Sequence, residues 1–174
     1  MALAPRSAVS DRRPPRIDGF DYIGPHAYFL TVCTLNRVPW FSDQSRADGV
    51  VEELLRTTAA YGFGLIAYCL MPDHLHAMAE GARRDSDFLK YVAMFKQRTA
   101  FEHASRGRGR LWQAGFFEHV IRREEDFESV AAYIVANPIR AGLCRSAIEY
   151  RYLGSSRYTL QQLAEAAQMI PSWR

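Results

Sequence analysis

An α+β fold built around an antiparallel sheet is predicted by three features of the sequence. Short apolar runs of strand length alternate with longer segments of helical periodicity, two of the strand-like runs meet across a single Pro72-Asp73 break, and no internal repeat interrupts the pattern. Tyr28-Phe29-Leu30-Thr31-Val32 is aromatic and β-branched and leads into polar Asn36-Arg37, which predicts a buried first strand and its exit. From about Gln44 to Tyr61, Val50, Val51, Leu54 and Leu55 recur at helical spacing before Gly62. Gly64 to Met71 and His74 to Glu80 predict two adjacent strands. Asp87 to about His103 predicts a basic amphipathic helix with Phe88, Leu89, Val92, Phe95 and Phe101 as its apolar set. Phe116 to Ile121 has the composition of a fourth strand. A third helix follows from about Asp126, with Phe127, Val130 and Ile134 as its stripe, and Pro138 predicts its end at Asn137. The order strand, helix, strand, strand, helix, strand, helix is that of a ferredoxin-like split βαβ sheet with an added helix. A short amphipathic helix from about Leu160 to Met169 closes the chain.

With 174 residues and 48% apolar content, the chain is long enough for one well-packed domain. No apolar run approaches the roughly 20 residues that span a bilayer. Residues 1–19 carry Arg6, Arg12, Arg13, Arg16 and three prolines, and predict a mobile basic arm rather than a secretory signal; a cytoplasmic, nucleoid-associated protein is expected. The predicted organisation is this arm, a domain over 20–156, and a C-terminal tail with a short helix over 157–174. Cys33, Cys69 and Cys144 form no C-x-x-C pair and are expected as buried thiols. The net charge of +3 is modest, but eight basic and three acidic residues between Gly81 and Arg110 give a local excess of five positive charges. Arg83, Arg84, Lys90, Lys96, Arg98, Arg106, Arg108 and Arg110, with Trp112 and Arg122, are therefore candidates for binding a polyanion. Aromatic residues beside positive charge, Tyr91 with Lys90 and Trp112 with Arg110, suit stacking on single-stranded bases.

His74 and His76 stand two apart on a predicted strand, so both imidazoles project from one face while Leu75 points the other way. Two imidazoles offered to one ion leave positions open for a third protein group, water or a phosphate oxygen. Asp73 begins this strand and Glu80 lies further along the same face. Tyr133 and Asn137 are four apart on the third helix and share a face. A phenol, with an ordinary pKa of about 10, is a weak nucleophile unless an ion or base stabilises the phenolate, and a metal beside it fits phosphoryl transfer. Gln113, Glu118 and His119 form a further polar group; Glu118 and His119 should face opposite sides of their strand.

Three blocks together resemble a known family. Met71-Pro72-Asp73-His74-Leu75-His76, then Trp112-Gln113-Ala114-Gly115-Phe116-Phe117-Glu118-His119, then Tyr133 through Asn137-Pro138 to Leu143 are similar to the transposases with a single catalytic tyrosine and a His-hydrophobic-His motif. Within these, the similarity is to the REP-associated tyrosine transposases, and it covers about Ile17 to Ser156. The resemblance implies a ferredoxin-like fold, a Mg2+ or Mn2+ site built from His74, His76 and Asn137, and Tyr133 as the nucleophile that forms a 5′-phosphotyrosine. It implies cleavage and rejoining of single-stranded DNA at palindromic hairpins, by a monomer. Insertion-sequence relatives commonly carry Gln at the position of Asn137. Two other readings of the same residues stay open: a DNA-binding protein on this fold without catalysis, and a zinc hydrolase in which His119 or Cys69 joins the two histidines.

Overall fold

The structure is a computed structural model that describes residues 16–122 and 124–169. Five strands form one antiparallel sheet in the order β4-β1-β3-β2-β5, with β1 over Ala27–Cys33, β2 over Phe63–Met71, β3 over His74–Gly81, β4 over Phe117–Ile121 and β5 over Leu153–Gly154. The first four strands thus have the order of a split βαβ sheet, as predicted. Among the described residues, four α-helices cover it: α1 (Gln44–Ala60), α2 (Phe88–Ser105), α3 (Glu124–Arg140) and α4 (Leu160–Met169). Asp43 and Asp87 start α1 and α2 by accepting hydrogen bonds from the backbone N–H groups of Arg46 and Lys90, each at 3.0 Å.

Both faces of the sheet are buried, and period two sorts the strand residues between them. Tyr28, Leu30, Val32, Leu75, Ala77 and Ala79 join a core with Val50 and Leu54 of α1 and Phe88, Tyr91, Val92 and Phe95 of α2. Phe29, Met78, Cys69 and Met71 join a second core with Val130, Ile134 and Val135 of α3 and Leu163 of α4. Every residue of β2 is buried, which is why that strand shows an unbroken apolar run. A β-bulge between Leu65 and Ala67 puts Ile66 and Ala67 into the same core.

Several boundaries differ from the sequence reading. Helix α3 runs through Pro138 to Arg140 instead of ending at Asn137. Proline forfeits one backbone hydrogen bond, but the helix is closed further on by a Schellman turn: Leu143 N–H donates to the Pro138 carbonyl and Gly142 N–H to that of Ile139, both at 2.9 Å, with Gly142 at φ 71°. Gly142, not Pro138, is the stop. Strand β5 was not expected, because two residues carry no periodicity and glycine is a poor strand former. Gly154 is needed there: a Cβ would lie 2.5 Å from Tyr68 Oη. Phe101, expected on the apolar face of α2, is 77% exposed.

The predicted arm lies outside the described residues except for its last part, and that part is docked. Arg16 pairs with Glu118 and lies 4.1 Å from the Phe116 ring centroid, and Ile17 N–H donates to Tyr22 Oη at 3.0 Å. The predicted tail is likewise integrated, since Leu163 of α4 is buried against α3 and Arg157 pairs with Glu80. Cys33 and Cys69 are buried free thiols as expected, whereas Cys144 is half-buried. No helix among the described residues is long and apolar enough to cross a membrane. Leu163→Ala is expected to lower unfolding free energy in urea by about 2 to 3 kcal/mol, the cost of a core cavity; an unchanged midpoint would place α4 outside the cooperative unit.

Candidate active site

Period two on β3 sends Leu75 into the α1/α2 core and turns His74 and His76 to the side covered by α3. Their Nε2 atoms converge to 3.1 Å. Each ring is held at its other nitrogen: His74 Nδ1 meets Asp73 Oδ1 at 2.6 Å, and His76 Nδ1 meets Thr31 Oγ1 at 2.8 Å. Thr31 is the direct cross-strand partner of His76, so the β1–β3 register delivers that hydroxyl. Asp73 is held in turn by Arg37, whose Nε lies 2.8 Å from Asp73 Oδ2.

These contacts constrain proton positions. The Asp73 carboxylate only accepts, so His74 carries a proton on Nδ1 and presents Nε2 to its neighbour. The Thr31 hydroxyl can donate or accept, so His76 can hold its proton on Nε2, donating to His74, or on Nδ1, leaving two Nε2 lone pairs side by side. Burial, then the charges of His74, Arg37 and Arg140, holds the His76 pKa well below the usual imidazole value, and the ring is neutral. Burial pushes the Asp73 carboxyl up, but the hydrogen bond and charge of His74 and the charge of Arg37 outweigh it and leave it ionised with a lowered pKa.

Helix α3 brings the phenol. The Tyr133 ring meets His76 edge to face, with centroids 5.3 Å apart, and meets Phe29 at 5.8 Å; Phe29 also stacks on His76 at 5.5 Å. Asn137 is buried one turn further along α3, and its side chain makes no hydrogen bond to another described residue. Arg140, seven residues after Tyr133 and still on the helix, places its guanidinium 4.3 Å from the Tyr133 ring centroid. The sequence reading missed Thr31, Arg37 and Arg140. Thr31 and Arg37 needed the strand register and the turn, and Arg140 needed the helix to continue past Pro138.

Other sequence candidates lie elsewhere. Glu80 shares the face but is engaged by Arg157. His119 pairs with Phe29, whereas Phe117 is registered opposite Thr31, so His119 sits off the His76 row. Cys69 is directly opposite His76, but burial pushes its thiol far above its ordinary value. Among the described residues no group of three or more His, Cys, Asp or Glu could hold a metal, which removes the zinc centre with His119 or Cys69. If the two imidazoles held an ion, a third protein ligand would have to be another donor type, and the uncommitted Asn137 amide is of such a type.

The basic candidates do not gather at this site. Helix α2 packs with α1 on the other face of the sheet. Arg83 pairs with Asp85 at 3.3 Å, Lys90 with Asp87 at 3.6 Å, Arg98 with Glu53 at 3.2 Å and Arg106 with Glu102 at 2.8 Å. Lys96 Nζ donates to the carbonyls of Gln113 and Gly115. Arg84, Arg108, Arg110 and Arg122 are exposed. Two expected stacking rings are corrected to core residues. Trp112 is 3% exposed, its indole donating to Thr99 Oγ1 at 2.8 Å, and Tyr91 is fully buried with its hydroxyl 3.0 Å from that of Thr58.

A converging histidine pair faces a tyrosine from the covering helix, and comparison with known proteins gives the class. A family model described as "Transposase IS200 like" matches residues 24–137, the span from the first strand through Asn137, and the chain belongs to this family. More particularly, the chain is similar to REP-associated tyrosine transposases. It is 29% identical over 90 residues to the one from Escherichia coli K12, covering 52% of this chain and 53% of that protein. It is 26% identical over 108 residues to a Haemophilus influenzae Rd protein provisionally given the same name, covering 56% and 61%. The alignments thus span little more than half the length of these curated relatives. A solved structure of a REP-associated tyrosine transposase bound to a REP hairpin superposes with a TM-score of 0.68 over 82% of this chain and 81% of that one, at 22% identity, and so shares its fold.

Thr31→Val would leave the buried His76 Nδ1 without its partner. A loss of about 1 to 3 kcal/mol in unfolding free energy is expected, with Thr31→Ser close to the parent protein; equal stability of all three in urea would show that the hydroxyl does not hold the ring.

Proposed function

We propose that this chain is a metal-dependent transposase or endonuclease that cleaves and rejoins single-stranded DNA, with Tyr133 as nucleophile. The observation that carries the reading is the convergence of two imidazole Nε2 atoms at 3.1 Å beside the Tyr133 ring, on one face of one sheet. Mg2+ or Mn2+ would be held by His74, His76 and the Asn137 amide, and when bound would neutralise charge on a non-bridging oxygen of the scissile phosphate. The residues fit such an ion: both Nε2 atoms face one another, and Asp73 and Thr31 orient the rings from behind.

The chain's own groups account for the rest. Tyr133 oxygen forms a bond to phosphorus as the bond from phosphorus to the 3′ oxygen breaks, giving a 5′-phosphotyrosine and a 3′-hydroxyl. The phenol loses one proton and the departing oxygen gains one, so the step is balanced. One phosphate ester replaces another, and the 3′-hydroxyl can reverse the exchange to rejoin a strand. Phe29 meets the Tyr133 ring edge to face and the Arg140 guanidinium lies over it, so the two contacts hold the ring beside His76. The contact of Tyr133 with His76 within one chain supports action as a monomer. Hairpins of palindromic repeats are the substrate class we propose, by similarity to the family and to the hairpin-bound structure.

Purified protein incubated with single-stranded hairpin DNA and Mn2+ is expected to form a covalent adduct visible on denaturing electrophoresis. The adduct should vanish with chelator, in Tyr133→Phe, and in His74→Ala or His76→Ala, while Tyr133→Phe keeps its DNA affinity. Adduct formation at parental rate by Tyr133→Phe would sink the mechanism, and binding without any adduct would leave a non-catalytic DNA-binding protein. Arg140 is exposed on α3, so Arg140→Gln is expected to slow adduct formation about two- to fivefold, the scale of an exposed cation–π contact, with little change in binding.

A further inference from the structure

The loop after α2 and the start of α1 meet around an aromatic ring that the site above does not use. Trp40 lies in a short 3-10 turn, Trp40–Ser42, and is partly exposed. The Arg46 guanidinium sits 4.8 Å and that of Arg108 5.4 Å from its ring centroid. His103 meets the same indole edge to face at 4.9 Å, is itself 7% exposed, and has a buried Nε2 with no hydrogen-bond partner. Carboxylates near this cluster are few. Arg46 has only a 4.0 Å contact to Asp43, Glu102 is taken by Arg106, and Arg108 has no carboxylate partner among the described residues.

A guanidinium stacked on an indole keeps its N–H edge free, and that edge matches two phosphate oxygens. Two such groups on one ring present converging donors without mutual neutralisation. The location also has a direction. Phe41 N–H donates to the Pro72 carbonyl at 2.9 Å, which ties the Trp40 turn to the turn before His74, and Thr34 N–H, just after β1, donates to the Asp73 carbonyl at 2.9 Å.

We propose that Arg46 and Arg108, held by Trp40, form a clamp for one backbone phosphate of a DNA single strand that continues past the His74–His76 pair. His103 packs edge to face against the same indole and helps hold it in place. The clamp rests on the reading of this chain as a single-strand enzyme. It gives the role expected of Trp112 to a different tryptophan and makes the contact one of ring-held charge.

The experiment measures the affinity of the Tyr133→Phe protein for oligo-dT in chelator as NaCl is varied. The Arg46→Gln/Arg108→Gln double variant should bind about tenfold more weakly, with the slope of log affinity against log salt reduced by about 0.7, the value for one single-strand phosphate. Because both groups share that phosphate, the double loss should be smaller than the sum of the single losses. Arg108→Gln, on an exposed loop, tests the clamp without risk to folding. Trp40→Leu keeps both charges, so weaker binding at a nearly unchanged slope is expected. An unchanged slope in the double variant, additive losses with a slope change of about 1.4, or parental binding by Trp40→Leu would each overturn the clamp. Displacement of oligo-dT by inorganic phosphate beyond that by NaCl of equal ionic strength would mark a free-anion site instead and also overturn it. A parent that forms adducts while the double variant keeps the parental slope refutes the clamp alone; a parent that binds no oligo-dT and forms no adduct refutes the enzymatic reading with it.

Discussion

The register between β1 and β3 is the constraint on which the rest of the molecule depends. It sets Thr31 opposite His76 and Cys33 opposite His74, and it sends Leu75, Ala77 and Ala79 into the α1/α2 core. In a strand buried on both faces, a slip by one residue would exchange those faces. Leu75 would then confront α3 and both imidazoles would enter an apolar core, each carrying polar nitrogens with no partner. That exchange is costly enough that the packing of aliphatic residues on one side enforces the position of the histidines on the other. The geometry of the histidine pair is therefore not held by its own hydrogen bonds alone; those bonds tune ring orientation and proton position within a frame fixed by burial.

Much of this frame was legible because strand and helix periods leave direct marks. The two histidines at spacing two, and Tyr133 and Asn137 at spacing four, declare shared faces without any knowledge of the fold. What the sequence did not show were contacts that depend on register or on a helix's last turn. Thr31 is an ordinary β-branched strand residue until β1 pairs with β3. Arg140 looked excluded from α3 by Pro138, because a local rule about proline ignores the Schellman turn that Gly142 permits. Trp112 looked available beside Arg110, yet its carbon skeleton fills the α1/α2 core against Phe41 and Phe95, and burial outweighs exposure for so large a ring. Charge runs misled for a related reason: most of the basic side chains on α2 are committed to nearby carboxylates or carbonyls, so a sum over sequence overstates the free positive surface.

The sheet consequently separates two tasks. One face holds the neutral His76, the phenol and the uncommitted amide, in surroundings dry enough to favour an uncharged imidazole. The other face carries α1 and α2, whose basic side chains are largely committed to nearby carboxylates and carbonyls. The two communicate at one end of the sheet, where the turn before β3, the exit of β1 and the loop leading to Leu111 are tied together by backbone hydrogen bonds. Arg37 stands there with its backbone at φ 57°, bonded to Cys33 Sγ and to Asp73, following Asn36 at φ 55°. Two consecutive non-glycine residues in the left-handed region cost of order 1 kcal/mol or more each, and such strain persists only where the surroundings over-determine it. Here it places a guanidinium behind the carboxylate that orients His74. The strained exit of β1 thus serves the same end as the β1–β3 register: it carries rigidity from the backbone to a ring nitrogen, so that the two converging Nε2 atoms are held in place.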